Sequence, residues 1–227
     1  MSALSGIEIC VFDAYGTLFD FNSAVARHRA AIGPSADALS EMWRQKQIQY
    51  TWLRNGMGAY AKFWQVTGEA LDHCLAAHRI DDASVREKLM GAYLALAPFA
   101  EVSATLARLR RADLRMAILS NGNPEMLDPM VAASGLAGLF EVVLSVDEAR
   151  VFKPDPRVYE LVGKTCNVLP ETVCFLSSNC WDAHGAAHFG FPTVWVNRAS
   201  APDDNLPGRL AAEVRDLSQL PALLGVS

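Results

Sequence analysis

Residues with chemistry to offer collect in four short stretches, each following an apolar run. Asp13, Tyr15 and Thr17 come after residues 7–12, and Ser120, Asn121, Gly122 and Asn123 after residues 114–119. Lys153-Pro154 lies in the loop beyond Ser145, while Ser177, Ser178, Asn179, Trp181 and Asp182 follow residues 172–176. A carboxylate in such a place can cap a helix, move a proton or act as a nucleophile. A lysine close to it would hold it as an anion. Any one stretch is ordinary, because strand-end loops are generally polar. Four together, carrying two carboxylates, a lysine and several hydroxyl and amide groups, read as a site.

Those stretches share one edge only if the apolar runs lie side by side. Residues 7–12 (Ile-Glu-Ile-Cys-Val-Phe) are short and β-branched, as suits a strand buried on both faces. Beyond Pro98 the pattern alternates. Helices are predicted at 101–111, 124–133, 155–165 and 182–189, strands at 114–119, 141–145, 172–176 and 193–196, and a last helix at 217–224. Asn123 is a candidate cap for the second of these helices. Alternation of this kind predicts an α/β fold with a parallel sheet covered on both faces, whose ligands bind outside the carboxyl ends of the strands. Residues 22–96 differ, with helical periodicity and no convincing strand. In the helix predicted over 37–54, Leu39, Trp43, Tyr50 and Leu53 make one apolar stripe and Arg44, Ile48 and Trp52 a second face. The expected division is a core of residues 1–18 and 97–227 with a helical cap, 19–96, inserted after the first strand.

The chain has 227 residues, 51% of them hydrophobic and 20% charged, with 15 glycines and 11 prolines, which excludes a disordered tail, a collagen-like rod and a coiled coil. A net charge of −5 argues against a nucleic-acid or anionic-membrane partner, though not against one small anionic substrate in a locally basic pocket. No run approaches the ~20 apolar residues of a membrane span. Met1–Gly6 lacks the basic region of a signal peptide, so the chain reads as cytoplasmic. Cys10, Cys74, Cys166, Cys174 and Cys180 contain no C-x-x-C pair and read as reduced thiols. Cys180, beside the candidate site, is the one to watch. His184 and His188 have a zinc-compatible i, i+4 spacing but lack the glutamate of H-E-x-x-H, so no metal site is expected.

Asp13-Ala14-Tyr15-Gly16-Thr17-Leu18, Ser120-Asn121-Gly122, Lys153-Pro154 and the loop ending in Asp182 together resemble the four motifs of the haloacid dehalogenase superfamily. Residues 42–54, from Met42-Trp43-Arg44 to Trp52-Leu53-Arg54, resemble the cap helix of its L-2-haloacid dehalogenases, and Ser177-Ser178-Asn179-Cys180-Trp181-Asp182 their fourth motif. The resemblance implies a Rossmann-like core with an inserted helical cap. Phosphatases of the superfamily carry a second aspartate where this chain has Tyr15, and further fourth-motif acids where it has Ser177, Ser178 and Asn179. Asp13 and Asp182 beside a lysine make a poor Mg²⁺ site. A halide leaving group needs no proton.

The implied reaction is attack of Asp13 on C2 of a 2-haloalkanoic acid, expulsion of halide, and hydrolysis of the aspartyl ester with inversion at C2, without metal or organic cofactor. Lys153 and Arg44 would offset the repulsion between nucleophile and anionic substrate, about 4 kcal/mol at ~4 Å with an effective dielectric near 20. By resemblance, Arg44, Asn121 and Trp181 cradle the halide. Ser120 and backbone N–H groups near Tyr15 hold the carboxylate. Thr17, Ser177 and Tyr159 orient Asp13 and Lys153. Asn179 and Asp182 surround the hydrolytic water, with Asp182 as base or base-orienter, and Ile48, Phe63 and Trp181 wall the alkyl group. A homodimer and a preference for the L enantiomer are likewise implied. Two departures stand out: Cys180, where small apolar residues are commoner, and Asn55-Gly56, which is expected to end the cap helix early. The competing readings are a phosphatase of the same superfamily and a non-catalytic carboxylate-binding module.

Overall fold

Short apolar strands with few polar side chains need cover on both faces, and the chain supplies it with helices. The computed structural model describes residues 4–226. Its strands are β1 (Ile9–Phe12), β2 (Phe19–Asp20), β3 (Ala97–Pro98), β4 (Arg115–Ser120), β5 (Val142–Ser145), β6 (Val173–Ser177), β7 (Thr193–Val196) and β8 (Ala212–Val214). Six form one parallel sheet in the order β5-β4-β1-β6-β7-β8. Every residue of β1 is fully buried between β4 and β6. The strand order reverses about β1, so its carboxyl end opens onto the crevice where such sheets bind ligands.

The helices of the first half are α1 (Asn22–Arg27), α2 (Arg29–Ile32), α3 (Ala36–Met57), α4 (Phe63–Ala77) and α5 (Ala83–Tyr93). This helical segment leaves and rejoins the sheet through an antiparallel ribbon in which Phe19 pairs with Pro98 and Asp20 with Ala97. The remaining helices, α6 (Val102–Arg111), α7 (Pro124–Ala133), α8 (Pro156–Cys166), α9 (Cys180–Phe189) and α10 (Leu220–Leu223), cover the sheet. None of the described helices is long and apolar enough to cross a membrane.

Several local expectations change. The helix carrying Arg44 does not stop at Asn55-Gly56. It runs on to Met57 and is closed by Gly58 in the left-handed region, φ 63°, whose N–H reaches back to the Arg54 and Asn55 carbonyls. Asn55 stays helical, and its side chain instead pairs both backbone groups of Phe152, donating to the carbonyl (2.7 Å) and accepting from the N–H (2.9 Å). Leu53, expected in the apolar stripe with Leu39 and Trp43, is 50% exposed, whereas its neighbour Arg54 turns to α4 and pairs with Glu69. The Asn123 side chain does not cap α7; it accepts from the Trp64 N–H (2.9 Å), pinning α4 to the sheet edge. The strands β2, β3 and β8 are two or three residues long, too short to leave a periodic pattern.

Candidate active site

Each sheet strand that carries a motif ends at the same edge, and the motif side chains converge there. The Asp13 N–H continues the β1–β6 ladder by donating to the Leu176 carbonyl (2.9 Å), which fixes its carboxylate at the strand tip. Lys153 Nζ lies between two carboxylates, 3.1 Å from Asp13 Oδ1 and 2.9 Å from Asp182 Oδ2. All three groups are almost wholly buried. The other Asp13 oxygen, Oδ2, accepts from Thr17 Oγ1 (3.1 Å) and Asn179 Nδ2 (3.0 Å). The Thr17 hydroxyl itself accepts the Ser178 N–H (2.8 Å), which turns its proton towards Asp13.

A lone ammonium would not survive this burial. Burial by itself pulls the Lys153 pKa down, but Asp13 and Asp182 outweigh it and the net displacement is upward. For Asp182, burial is the largest influence and raises its carboxyl, with Lys153 opposing. Both Asp182 oxygens are engaged, Oδ2 by Lys153 and Oδ1 by the Tyr159 hydroxyl (2.8 Å). Burial likewise lifts the Tyr159 and Tyr15 hydroxyls well above the ordinary phenol range, so both remain protonated donors.

Opposite this charge cluster stands α3. Arg44 donates to Asn179 Oδ1 (3.0 Å), to Gln47 Oε1 (2.7 Å) and, at 3.4 Å, to the Tyr15 carbonyl. Asn179 thus links the guanidinium to the Asp13 carboxylate. An open cleft of about 820 Å³ adjoins them, lined by Arg44, Ile48, Trp52, Asn179 and Trp181, with the Trp52 and Trp181 rings edge to face at 5.3 Å. Asn121 Oδ1 accepts the Lys153 N–H (3.0 Å), tying the second motif to the lysine loop. Ser120 is fully buried, and its oxygen accepts the Gly122 N–H (3.1 Å). Among the described residues, the N–H groups of Ala14, Tyr15 and Asn121 meet no acceptor, which leaves three donors free for an anion beside Asp13.

Not every expected contact forms. Tyr159 reaches Asp182 rather than Asp13 or Lys153, because it projects from α8 onto the first turn of α9. Ser177 Oγ accepts the Asn179 N–H (3.2 Å) and so shapes the turn carrying Asn179, without touching Asp13 or Lys153. Phe63 is not among the residues lining the cleft of Arg44 and Trp181. Its ring lies 5.7 Å from that of Tyr15 and 6.1 Å from that of Phe152. The Tyr15 hydroxyl is buried without a partner, and a Cβ on Gly122 would come within 2.9 Å of it, so that glycine makes room for the ring.

Sequence reasoning missed three contributors. Gln47, fully buried, binds Arg44 on one side and Thr67 and Tyr93 on the other, and Tyr93 stacks on Tyr15 at 5.4 Å. Its signal was its i, i+3 spacing from Arg44. Arg198 donates to the carbonyls of Thr17 (2.8 Å) and Gly16 (3.2 Å), lies 3.7 Å over Phe99 and pairs with Glu101 at 2.6 Å. It follows directly after β7, where the strand-end rule pointed. Asn55, the strap to the lysine loop, carried no signal.

The donor set does not suit a resident Mg²⁺. The space between the two carboxylates is taken by the protein's own ammonium, and Tyr15 stands where a phosphatase would offer an acid.

Comparison with known proteins agrees with this geometry. The family model described as haloacid dehalogenase-like hydrolase matches residues 7–190. An (S)-2-haloacid dehalogenase, 4A, from Burkholderia cepacia is 44% identical over 222 residues, covering 97% of this chain and 96% of its own length. A crystal structure of a dehalogenase superposes with a TM-score of 0.95 at 44% identity, covering 97% of this chain and 98% of the other. The L-2-haloacid dehalogenase of Xanthobacter autotrophicus, solved with chloropropionic acid covalently bound, gives 0.90 at 39% identity, covering 96% and 98%.

Proposed function

The chain belongs to the haloacid dehalogenase-like hydrolase family, and from that premise we propose that it hydrolyses the carbon–halogen bond of L-2-haloalkanoic acids. The products are the D-2-hydroxy acid and halide. One observation carries the reading: a buried aspartate at the tip of β1, held by a lysine, with a phenol two residues on in place of the acid that protonates a phosphatase leaving group.

The two Asp13 oxygens are unequally held, and that inequality divides the labour. Oδ1, touched only by Lys153, is the freer one and attacks C2 as halide departs. Oδ2 becomes the ester carbonyl oxygen. When water adds to that carbonyl, negative charge grows on Oδ2, where Thr17 and Asn179 already donate. The substrate carboxylate is assigned to the free N–H groups of Ala14, Tyr15 and Asn121 with the Ser120 hydroxyl. The halide is assigned to Arg44, Asn121 and Trp181, where a guanidinium and an aromatic edge present positive potential. Arg44 must then trade its bond to Asn179 for the halide. Asp182, with both oxygens engaged, acts through Lys153 and so is a positioning residue for the nucleophile and the hydrolytic water. The segment 19–96 serves as a cap, with Ile48, Trp52 and Trp181 against the alkyl group. Homodimerisation is part of the proposal. Leu53 and Met57, exposed on α3, are apolar residues a second copy would cover, and light scattering measures it.

The test supplies each enantiomer of 2-chloropropionate, with and without EDTA, and follows free chloride and product chirality. Chloride and D-lactate from the L enantiomer, unaffected by chelator, are expected. A single turnover in heavy-oxygen water with enzyme in excess should place the label in the Asp13 peptide and leave the first product unlabelled. Labelled first product with an unlabelled peptide would overturn the mechanism.

A further inference from the structure

Where the first turn of α9 meets the loop after β7, beside the cavity that Cys180 shares with Arg44 and Asn179, three side chains to which the dehalogenation assigns no role converge. Cys180 Sγ, a nitrogen of His184 and a carboxylate oxygen of Asp203 all lie within 4.8 Å of one another. His184 Nε2 is 2.7 Å from Asp203 Oδ1, and Cys180 Sγ is 3.9 Å from the same oxygen. His184 is buried, Cys180 partly so, and Asp203 is exposed on the loop after β7.

The hydrogen bonding of the imidazole is informative. Nδ1 faces the Gly208 carbonyl oxygen at 2.9 Å and Nε2 the Asp203 carboxylate at 2.7 Å, and both partners can only accept. A neutral ring has one N–H and satisfies only one of them. A metal ion on Nε2, with the hydrogen on Nδ1, serves both. A ring nitrogen pinned to a backbone carbonyl is also the arrangement that orients metal-binding histidines elsewhere. The pinning segment is itself fixed: a Cβ on Gly208 would come within 2.4 Å of the His184 carbonyl, so only glycine lets the loop lie this close to α9.

We propose that Cys180, His184 and Asp203 bind one soft divalent cation, Zn²⁺ foremost, with solvent in the fourth position. Thiolate, imidazole and carboxylate are together a zinc donor set rather than a magnesium one. Four-coordinate zinc ligands lie roughly 3.5 Å apart, so the exposed Asp203 and the Cys180 rotamer need move only about an ångström. On binding, the Cys180 thiol proton and any proton on Nε2 pass to solvent as the Zn–S and Zn–N bonds form. The histidine spacing in the sequence pointed the wrong way along α9. His188, four residues on, is exposed and outside the cluster, whereas the partner is Cys180, four residues back. This site is independent of the dehalogenation reading.

The test uses the full-length chain, stripped with chelator and titrated with Co²⁺. One equivalent should produce the visible bands of four-coordinate cobalt with a thiolate-to-metal charge-transfer band, and Zn²⁺ should displace it. The other four cysteines are buried, so the thiolate band reports Cys180. Cys180→Ser should abolish that band, and Asp203→Asn, on an exposed loop where folding is not at stake, should weaken affinity about tenfold or more. Absence of saturable one-to-one binding, or a charge-transfer band that persists in Cys180→Ser, would overturn the site.

Discussion

The buried charge cluster and the cleft wall that faces it are built on opposite principles. Asp13, Lys153 and Asp182 sit on the sheet edge, almost free of solvent, each held by two or more partners from different motifs. Arg44, Ile48, Trp52 and Trp181 come mostly from one helix, line open space, and include a tryptophan that is 42% exposed. The first region cannot change one member without stranding another, since unpaired buried charge is costly. The second can change contour with little effect on the fold. On the proposed mechanism chemistry falls to the sheet and selection to the helices of segment 19–96, and variants in each region should behave differently.

Asp13→Asn should cut halide release by about 10⁴-fold or more, as expected for loss of a covalent nucleophile, while substrate still binds. Steady-state kinetics and equilibrium binding measure the two halves, and a modest loss would break the comparison at its centre. Lys153→Met leaves two buried carboxylates unpaired. Denaturant unfolding should show it less stable by about 3–5 kcal/mol, alongside lost activity. Arg44→Lys should behave in the contrary way. Lysine cannot serve Asn179, Gln47 and a halide together, so kcat/KM should fall roughly 10- to 100-fold, the worth of one or two hydrogen bonds to a charge, with the denaturation midpoint unmoved. Trp52→Ala removes an edge-to-face pair worth about 0.5–1.5 kcal/mol. It should shift relative kcat/KM between short and long 2-haloacids a few-fold with kcat on the shortest unchanged.

The smallest effect is a flat one. A cation whose pKa is raised on folding adds stability that is fully present below its ordinary value and is lost as the pH rises from there through the raised one. Lys153 is such a group, so neither stability nor kcat/KM should decline on its account between neutrality and about pH 10.4. On the acid side, Asp182, also raised, takes its proton before a free aspartate would, so the acid limb of the wild-type profile should lie above about pH 3.9 and change shape in Asp182→Asn. A pH profile of kcat/KM for the two proteins measures both limbs.

The alternation of apolar runs with helical periods was enough to place a parallel sheet, because strands buried on both faces have to be nearly continuous apolar stretches. The rule that ligands gather at the carboxyl ends then picked out Asp13, Ser120, Lys153, Asn179 and Asp182 without coordinates. Arg44 was legible because an arginine shared a helical face with Ile48 and Trp52. Local pattern carries no information about which partner a side chain meets across the sheet. Only the tertiary fold decided that Tyr159 serves Asp182, that the Phe63 ring meets that of Tyr15, that Asn55 straps α3 to the lysine loop, and that Arg198 clamps the Gly16 and Thr17 carbonyls. It also decided that Cys180 and His184 meet Asp203. Residue type and spacing fix what a side chain can do and which edge it reaches; packing between elements distant in sequence fixes what it touches.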